Sequence, residues 1–390
     1  MKRKEVLAFI ASLVALTGPA ALGADPFPGD LPGTQIGSNL PAGYEPSGAV
    51  WHTRLERLFL VSDDGLVTSM DADGTNLTHW SFPGDLEAIC VADPLSDFVY
   101  VGVENPDAVK EFDVVTGLVA RTFDLTGTMT GPDNSGLEAL TFVPDPAHPE
   151  GGLFYAGLQA DGKIYVFDLP IASSNTDTTV THVTTITPVA GRSDISGLHY
   201  HAANDTLYAI FDSANALRAM HPDGTFLAEW VLPGNDQEGI AVTGCSLFIA
   251  EDVGEEVWRY ESFPSDDDDA DTVLTCRDNC PTTANPGQND TDGDGVGDAC
   301  DDCPNTNPGL AVDEFGCTPA ADGDFNRDGD VDGMDFLTFA QCFNGSLRAP
   351  SPECTHPEAD FDADNDVDGT DFMTFSACFN GSLRLPKCTP

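Results

Sequence analysis

The chain has 390 residues, and its 65 Asp and Glu against 16 Lys and Arg give it a formal charge of -49. So acidic a chain repels phosphate backbones and anionic membranes, which excludes nucleic acid as a partner. Hydrophobic residues still make up 41% of the sequence, with 23 Phe among them, so a packed core is expected rather than a disordered acidic polymer.

The N-terminus has the three parts of a secretory signal peptide. Positively charged residues 2–4 precede an apolar stretch over 6–16, and small residues precede a cleavage site that we place after Gly23. The apolar stretch is too short to span a bilayer, and no later segment is long enough, so no membrane span is predicted. Residues 1–23 are therefore predicted to be a signal peptide. The mature protein should be secreted or held at the cell surface, where disulfides and calcium are both available.

Residues 27–263 contain a repeat of about 40 to 50 residues, which is the period of propeller blades. The five repeats begin with similar strands: EPSGAVWH from Glu45, DLEAICVA from Asp85, GLEALTFV from Gly136, DISGLHYH from Asp194 and DQEGIAVT from Asp236. The segments alternate in hydrophobicity and are too short and too often interrupted by turn residues for helices. We predict an all-β fold, a five-bladed β-propeller, with six blades as the alternative if residues 144–190 hold another.

The fifth repeat ends after its third strand, at residues 262–264. The N-terminal segment 34–43, TQIGSNLPAG, has the same pattern as VLPGN at the end of the fourth repeat. Pairing of this segment with the last blade would remove two open sheet edges. We therefore predict that the N-terminal strand closes the ring.

The third positions of the five opening strands align, and they are Ser47, Glu87, Glu138, Ser196 and Glu238. Opening strands line the channel of a propeller, so three carboxylates would converge on one axis. Such a cluster is costly unless the groups are solvated, protonated or bridged by a cation. Glu87, Glu138 and Glu238 are therefore candidates for a metal site at the channel mouth, and a hydrated channel wall is the alternative. A second acidic ring is predicted at the ends of the second strands, at Asp63, Glu104, Asp212, Glu251 and Asp252.

The Glu-(Gly/Ala)-(Ile/Leu) opening of these strands resembles the secreted SdiA-regulated and esterase-like phytase group of propellers. That resemblance implies a calcium-occupied channel mouth and phosphoester chemistry. A phosphate-processing site normally also needs basic charge partners. The candidates form no cluster in the sequence: Lys110, Lys163, Arg192 and Arg218. The sequence contains no nucleophile elbow, P-loop or zinc motif, so no catalytic residue is assigned and catalysis is left open, with a non-enzyme preferred.

An acidic grid, Asp-x-(Asp/Asn)-x-Asp-(Gly/Asn)-x-x-Asp-x-x-Asp, occurs three times beyond residue 289. Oxygen ligands at positions one, three, five, nine and twelve, with a backbone carbonyl at seven, suit calcium. Position six must turn sharply, and it is Gly295, Gly329 or Asn365. The alternative, a solvated acidic linker, does not explain three matches in register. The predicted calcium residues are Asp290, Asp292, Asp294, Asp298 and Asp301 in the first loop, Asp324, Asn326, Asp328, Asp330, Asp332 and Asp335 in the second, and Asp360, Asp362, Asp364, Asp366, Asp368 and Asp371 in the third.

The first of these loops lies in residues 264–320, where the composition shifts to Asp, Gly, Pro, Asn and Cys. The phrase DNCPTTANPGQNDTDGDGVGDACDDCP resembles a thrombospondin type 3 repeat, which implies calcium binding. The stretch before it, residues 266–271, lacks the turn glycine of that family, and we assign no calcium ligand to it.

Nine of the 11 Cys lie beyond residue 270. Their places in the repeats predict four disulfides, Cys280–Cys300, Cys303–Cys317, Cys342–Cys354 and Cys378–Cys388, which close short loops in segments with little core. Of the remaining Cys90, Cys245 and Cys276, an odd number, at least one is free or paired elsewhere. Cys90 lies in an apolar strand pattern and is predicted to be a core residue.

Residues 321–390 are two copies, 36 residues apart, of a loop, a helix and a Cys-closed turn. Phe336, Phe339, Ala340 and Phe343 fall on one helix face, and Phe372, Phe375 and Phe379 repeat the pattern, so we expect the helices to bury their aromatics against each other. The segment resembles a dockerin with tandem EF-hand loops, which implies calcium-dependent folding and a cohesin partner. It differs from cellulosomal dockerins at residues 333–334 and 369–370, where recognition residues usually lie, and in its extra Cys pairs.

Together these patterns predict a secreted, calcium-binding multidomain protein. Its parts are a signal peptide (1–23), a propeller acting in binding or attachment (27–263), a disulfide-stapled thrombospondin type 3-like stalk (264–320) and a small α-helical dockerin-like module (321–390). The partner of the tail would be another extracellular protein or a polysaccharide. The alternatives are a calcium-dependent hydrolase, phytase-like or lactonase-like, and a structural component of a matrix or envelope.

Overall fold

The computed structural model describes residues 25–381 except 133, 253, 255, 265–266, 307–308, 319–322 and 363. The predicted signal peptide lies outside this range. The chain divides into two compact units on either side of Glu261. Within the described part of the chain, every helix is too short or too polar to cross a bilayer.

The first unit is a β-propeller of five blades, each built from antiparallel strands in sequence order. Two short strands come first, β1 (Asp25–Pro26) and β2 (Thr34–Gln35). Blade 1 consists of β3 (Pro46–His52), β4 (Arg57–Ser62), β5 (Leu66–Met70) and β6 (Thr78–Ser81). Blade 2 consists of β7 (Asp85–Cys90), β8 (Phe98–Glu104), β9 (Ala108–Asp113) and β10 (Leu118–Asp124). Blade 3 consists of β11 (Leu137–Pro144), β12 (Gly152–Leu158), β13 (Lys163–Asp168) and β14 (Thr181–Ile186). Blade 4 consists of β15 (Ile195–His201), β16 (Thr206–Phe211), β17 (Ala216–Met220) and β18 (Phe226–Val231), and blade 5 of β19 (Gln237–Thr243), β20 (Ser246–Glu251) and β21 (Glu256–Glu261).

The five-bladed prediction is confirmed. Residues 144–190 contain the later strands of blade 3 and their connections, so the alternative of a sixth blade is wrong.

The ring closes through the N-terminal segment, as predicted. Strand β2 pairs antiparallel with β21, with Thr34 opposite Arg259, and supplies the fourth strand of blade 5. The backbone N–H of Ile36 continues the ladder by donating to the carbonyl of Val257 at 2.8 Å. A second contact was not predicted: β1 pairs parallel with β18 and gives blade 4 a fifth strand. The segment therefore covers the outer edges of two neighbouring blades, which would otherwise offer unpaired backbone groups to other chains.

The propeller core lies between neighbouring blades and repeats with them. The third residue of each second strand is a buried aromatic, and these residues are Phe59, Tyr100, Phe154, Tyr208 and Phe248. Phe59, Tyr100, Phe154 and Phe248 pack with apolar residues of an adjoining blade; the rings of Tyr100 and Phe154, for example, meet edge to face at 5.0 Å. Burial of one such side chain contributes about 1.5–3 kcal/mol, so these aromatics stabilise the seams at which they pack.

The second unit contains two ten-residue helices, α1 (Gly333–Cys342) and α2 (Gly369–Cys378). Each begins with a capping box, in which the N-cap side chain (Asp332 or Asp368) accepts a hydrogen bond from the helix backbone. Phe339 and Phe375 are fully buried and stack with their ring centroids 5.1 Å apart.

The expectation that the helix aromatics bury one another is only partly right. Phe336, Phe343, Phe372 and Phe379 are each 40–46% exposed. Two ten-residue helices with one stacked pair of rings have too little surface to cover the flanking positions, which remain on the outside.

Disulfides join Cys280 to Cys300, Cys303 to Cys317 and Cys342 to Cys354. Cys378 is disulfide-bonded, but its predicted partner Cys388 lies outside the described residues. Cys90 is a buried free thiol, whereas Cys245 and Cys276 are disulfide-bonded.

Candidate calcium loops and channel site

The first strands of the five blades, β3, β7, β11, β15 and β19, pack side by side around the centre of the propeller. Each contains a β-bulge at the same place, where the pairing register skips one residue. The skipped residues are Ser47, Glu87, Glu138, Ser196 and Glu238. A bulge releases a residue from the ladder and redirects its side chain, so the bulges explain how Glu87, Glu138, Ser196 and Glu238 come to line the channel.

A small residue follows each bulge and lets the strands approach closely. A Cβ atom on Gly48 would lie 2.9 Å from the Cα of Ala88, and one on Gly239 would lie 2.8 Å from the backbone nitrogen of Ala49. The channel is consequently narrow here, with a cavity of about 10 Å³ lined by Glu87, Glu138 and Glu238. That volume holds about one water-sized particle.

The three channel glutamates share an environment that disfavours charge. Burial raises the pKa of Glu87 to about 11, with Glu138 adding repulsion. Burial and the nearby Glu104 raise the pKa of Glu138 to about 8, and burial and Glu138 raise that of Glu238 to about 9. The side chains that line the constriction in the described part of the chain include no Lys or Arg. At neutral pH these carboxyls therefore hold protons unless a cation replaces them.

Two further carboxylates meet Glu87 at the channel mouth. Asp63, at the end of β4, and Asp85, the first residue of β7, place a carboxylate oxygen within 4.8 Å of one from Glu87. The hydroxyl of Ser47 donates a hydrogen bond to Asp63. Sequence reasoning missed Asp85 as a ligand candidate, although an acidic residue also precedes the opening strand in most other repeats. The set of oxygens around Glu87 is therefore larger than the three aligned glutamates.

The second acidic ring differs from its prediction in one member. The strand registers make Asp63, Glu104, Gln159, Asp212 and Asp252 equivalent. Glu251 lies one residue earlier and is buried. Two ring members join neighbouring blades, because Glu104 accepts a hydrogen bond from the backbone N–H of Gly136 and Asp212 accepts one from that of Gln237 at 3.1 Å. At least part of this ring is structural.

The three acidic loops share one backbone geometry. The first Asp of each accepts a hydrogen bond from the N–H of the sixth residue: Asp290 from Gly295 at 3.0 Å, Asp324 from Gly329 at 3.1 Å and Asp360 from Asn365 at 2.8 Å. The sixth residues have φ of 100°, 89° and 70°. The left-handed turn expected at position six is present in each loop.

Position twelve ties the second and third loops to the helices that follow. Asp335 accepts hydrogen bonds from the N–H groups of Phe325 and Asp332, both at 2.8 Å. Asp371 accepts the equivalent bonds from Phe361 at 2.7 Å and Asp368 at 2.8 Å. An Asp at this position therefore also caps a helix, and only its remaining lone pairs are available for a cation.

The donor set of these loops fits calcium. Asp324 is 4% exposed, and its Oδ1 has no hydrogen-bond partner among the described residues. Burial, with repulsion from Asp335, raises the pKa of Asp324 to about 7, and burial raises that of Asp328 to about 6. In each loop three carboxylates offer oxygens within 4.8 Å of one another: Asp290, Asp292 and Asp294; Asp330, Asp332 and Asp335; Asp360, Asp362 and Asp371. Buried, mutually repelling oxygen donors are what a hard divalent cation stabilises.

A fourth acidic stretch adopts the same geometry without a turn glycine. Asp267 accepts hydrogen bonds from the N–H groups of Asp271 at 3.1 Å and Thr272 at 3.0 Å, and Thr272 has φ of 81°. Asp267, Asp269 and Asp271 place carboxylate oxygens within 4.8 Å of one another. The missing glycine led us to assign no ligand here, although the alternating Asp spacing was visible in the sequence.

Comparisons with known proteins support two of the resemblances. Residues 322–380 match the family described as Dockerin type I domain, and residues 172–260 match the family described as SdiA-regulated. A solved structure that resembles the chain is the crystal structure of Myxococcus xanthus glutaminyl cyclase, with a TM-score of 0.40 and 12% identity over 56% of this chain and 90% of that one. The search of curated proteins finds no match.

Proposed function

We propose that this protein is secreted and attaches to a partner protein through its calcium-folded C-terminal module, carrying the propeller as a binding domain. The match to a dockerin type I domain over residues 322–380 supports an attachment role. The disulfides support an extracellular location. In this proposal residues 264–320 form the thrombospondin type 3-like stalk, and the acidic loops hold calcium.

The observation that carries the proposal is a set of exposed apolar side chains on the two helices of the module and directly after them. It consists of Met334, Phe336, Leu337, Phe343, Phe372, Met373 and Phe379, each at least 40% exposed. Phe336 and Phe372 also line a groove of about 360 Å³ with Phe375 and Phe379. So many exposed large apolar side chains on a small module are a recognisable docking surface. The occupant we propose is a cohesin-type domain of an extracellular scaffold.

The basic residues of the propeller favour binding over phosphate chemistry. Arg192 and Arg218 both pair with Glu229, at 2.8 and 2.9 Å. Lys163 pairs with Asp161 at 2.6 Å, and Lys110 donates to the carbonyl of Pro83 at 3.4 Å. All four are engaged away from the channel constriction, so they do not supply the positive charge that a transferred phosphoryl group needs.

Charge among these exposed apolar side chains should weaken attachment. We expect the variant Leu337→Asp/Met373→Asp to lose at least tenfold in affinity for type I cohesin domains, because binding would bury two carboxylates. The measurement is biolayer interferometry of a cohesin panel with the full chain, in calcium and in chelator.

The matched control is Leu95→Asp/Val115→Asp, which changes two exposed apolar residues of the propeller. Its binding should equal that of the wild type. If no cohesin binds the wild type in calcium, or if both double variants bind equally well, the attachment proposal is wrong.

A calcium-dependent hydrolase is the second candidate, and the oxygens of Asp63, Asp85 and Glu87 at the channel mouth favour it. A structural matrix role has no comparable observation in its support. Two alternatives remain for the channel, a cation site and a hydrated wall. They predict different effects on stability when the three glutamates are replaced.

The variant Glu87→Gln/Glu138→Gln/Glu238→Gln tests the channel. Without calcium the raised folded pKa values mean that the folded state binds protons more tightly than the unfolded chain. Stability of the propeller should therefore fall as pH rises from about 4.5 towards 8 and 9, by on the order of a few kcal/mol. The variant should show a smaller fall, because Glu251, whose pKa is raised to about 7 by burial, remains in it. With calcium, the wild type should regain stability at high pH and the variant should not. Thermal unfolding across the pH range measures both effects.

The control is Asp145→Asn/Asp177→Asn/Asp223→Asn, which removes three exposed carboxylates of the same unit. A wild type that gains no stability from calcium would show that the glutamates form only a channel wall. Calcium-dependent cleavage of a phosphoester or lactone by the wild type, lost in the triple Gln variant, would instead establish the hydrolase.

A further inference from the structure

Residues 313–318, which we call the connecting turn, pack closely against the first acidic loop. Gly316 has φ of 75°, and a Cβ atom there would overlap Asp301 Oδ1 and lie 3.1 Å from Asp294 Oδ2, so only glycine lets the turn approach these carboxylates. Asp294 Oδ2 and Asp292 Oδ1 are buried and have no hydrogen-bond partner among the described residues. The turn therefore touches the part of the first loop where predicted calcium residues leave oxygens unpaired.

A buried threonine gives the connecting turn a second link to the first loop. The N–H of Thr306 donates to Asp292 Oδ2 at 2.7 Å, and its hydroxyl donates to the carbonyl of Gly316 at 2.7 Å. Thr306 is 1% exposed, so water does not readily replace these bonds. The disulfide between Cys303 and Cys317 joins the same two segments. A change in the arrangement of the first loop's carboxylates is therefore transmitted to the turn.

The other end of the connecting turn holds the second acidic loop at its fourth residue, Arg327. The N–H and the hydroxyl of Thr318 donate to the carbonyl of Arg327 at 2.9 and 3.0 Å, and Arg327 Nε donates back to the carbonyl of Thr318 at 2.8 Å. Arg327 Nη2 also pairs with Asp313 at 2.9 Å. Arg327 has φ of 56°, a left-handed conformation that is unfavourable for a residue other than glycine. Thr318 and Asp313 therefore stabilise a loop conformation that Arg327 alone would not favour.

The sequence of the third loop does not provide for the same contact. Its fourth residue is Ala363, whose methyl group has no donor for a hydrogen bond. Asp324 and Asp328 of the second loop are 4% and 6% exposed. Their counterparts in the third loop, Asp360 and Asp364, are more exposed. The connection to the stalk is therefore a feature of the second loop and not of the acidic grid in general.

We propose that the stalk regulates the attachment module, because calcium binding in the first loop and in the second loop is coupled through the connecting turn. The inference rests on the proposed function, in which the acidic loops hold calcium, and it adds that these two sites are not independent.

The coupling follows from the two sets of contacts. Without a cation, the carboxylates of Asp292, Asp294 and Asp301 repel one another beside the turn, and with one they form a fixed surface against which Gly316 packs. Thr318 is then already in place, so the second loop does not have to use part of its own calcium-binding free energy to order the turn. Such coupling is reciprocal, and each loop raises the calcium affinity of the other by the same factor.

Hydrogen-exchange mass spectrometry of the full-length, oxidised chain across a calcium titration tests the coupling, because it follows each loop separately. The first-loop midpoint is the calcium concentration that gives half of the full protection of residues 290–301. The second-loop midpoint is defined in the same way for residues 324–342, which include α1.

Two variants test whether the effect is reciprocal. Asp290→Asn/Asp294→Asn weakens the first loop and should raise the second-loop midpoint at least about fivefold. Asp324→Asn/Asp328→Asn weakens the second loop and should raise the first-loop midpoint by the same factor. Local damage to either loop gives no reason for two equal shifts, whereas a coupling free energy requires them.

Two further variants show whether the connecting turn carries the effect. Thr318→Val/Arg327→Ala removes side-chain bonds of the turn and leaves every predicted calcium residue in place. It should raise the second-loop midpoint about fivefold, and adding the first-loop substitutions should raise it no more than about twofold further. Glu314→Gln/Glu353→Gln removes two exposed carboxylates of the same unit outside the loops and should leave both midpoints unchanged.

The coupling is overturned if calcium protects both loops but their midpoints are independent, if the control variant shifts them equally, or if the reciprocal shifts persist without Thr318 and Arg327. Should the Thr318→Val/Arg327→Ala variant not reach wild-type protection in saturating calcium, the equality of the two reciprocal shifts decides. Calcium that changes hydrogen exchange in none of the acidic loops would contradict the proposed function itself, and the coupling with it.

Discussion

Removal of calcium is expected to unfold the C-terminal module, residues 321–390, and to abolish most of its helicity. Helices of ten residues are too short to persist in water on their own. The core that joins them is a small cluster around the stacked rings of Phe339 and Phe375. Repulsion between buried carboxylates, such as Asp324 and Asp335, opposes the stabilisation that this small core provides. The free energy of calcium binding is therefore the folding free energy of the module.

Far-ultraviolet circular dichroism of residues 321–390, oxidised and titrated with calcium after chelation, measures this effect. Replacing the first residue of both loops, Asp324→Asn/Asp360→Asn, should weaken calcium binding at least tenfold, or about 1.4 kcal/mol, and shift the refolding midpoint accordingly. Glu353→Gln, a change at an exposed carboxylate outside the loops, should leave that midpoint unchanged. Equal helicity in calcium and in chelator would show that the aromatic cluster and the disulfides suffice.

Much of the propeller could be predicted because each blade repeats the same physical solution. A turn, an alternating strand and a buried aromatic recur at a fixed spacing. The fifth repeat lacks a fourth strand, so another segment of the chain had to supply it. Strand β2 was predictable for that reason. Strand β1 was not, because a two-residue parallel strand has no hydrophobic pattern of its own.

The channel was predicted in part. Alignment of the repeats identified Glu87, Glu138 and Glu238 as neighbours around one axis. The bulges that turn them inward were not predicted, although the Gly or Ala after each was their signal. The prediction of the second acidic ring was also wrong in one strand register, because it included Glu251. Side chains alternate between faces along a strand, so the choice between Glu251 and Asp252 decides between a buried seam and an open channel mouth.

The backbone geometry of the acidic loops was the most predictable feature, since the accepting Asp and the turn residue lie five residues apart in the sequence. The burial of the aromatic side chains on the helices that follow the loops was less predictable. Periodicity shows which residues share a face but not whether a neighbour is large enough to cover it, and Phe336 and Phe372 are exposed for lack of that neighbour.

Deletion of residues 24–43 is expected to destabilise the propeller by roughly 3–6 kcal/mol and to cause aggregation. The deletion removes Ile36, which is 3% exposed and packs at the seam of blades 5 and 1 with Leu58 and Phe248. It also removes the hydrogen bonds to Val257 and to Glu261, whose carbonyl accepts from Asp30 at 2.9 Å. Both β18 and β21 would then be open edges on neighbouring blades, ready to pair with the same edges of another molecule.

Thermal unfolding and sedimentation velocity of the full chain lacking these residues, in saturating calcium, measure the two effects separately from the C-terminal unit. A shorter deletion of residues 24–28 removes β1 and the packing of Phe27 on Tyr260 but keeps β2, so it should cost less than half as much. Ile36→Ala keeps both strands and should cost about 2–5 kcal/mol through the cavity it leaves, without aggregation. A monomeric full deletion with an unchanged melting temperature would mean that the blades hold the ring closed without this segment. An Ile36→Ala variant that aggregates like the deletion would place the effect in the core instead of at the open edges.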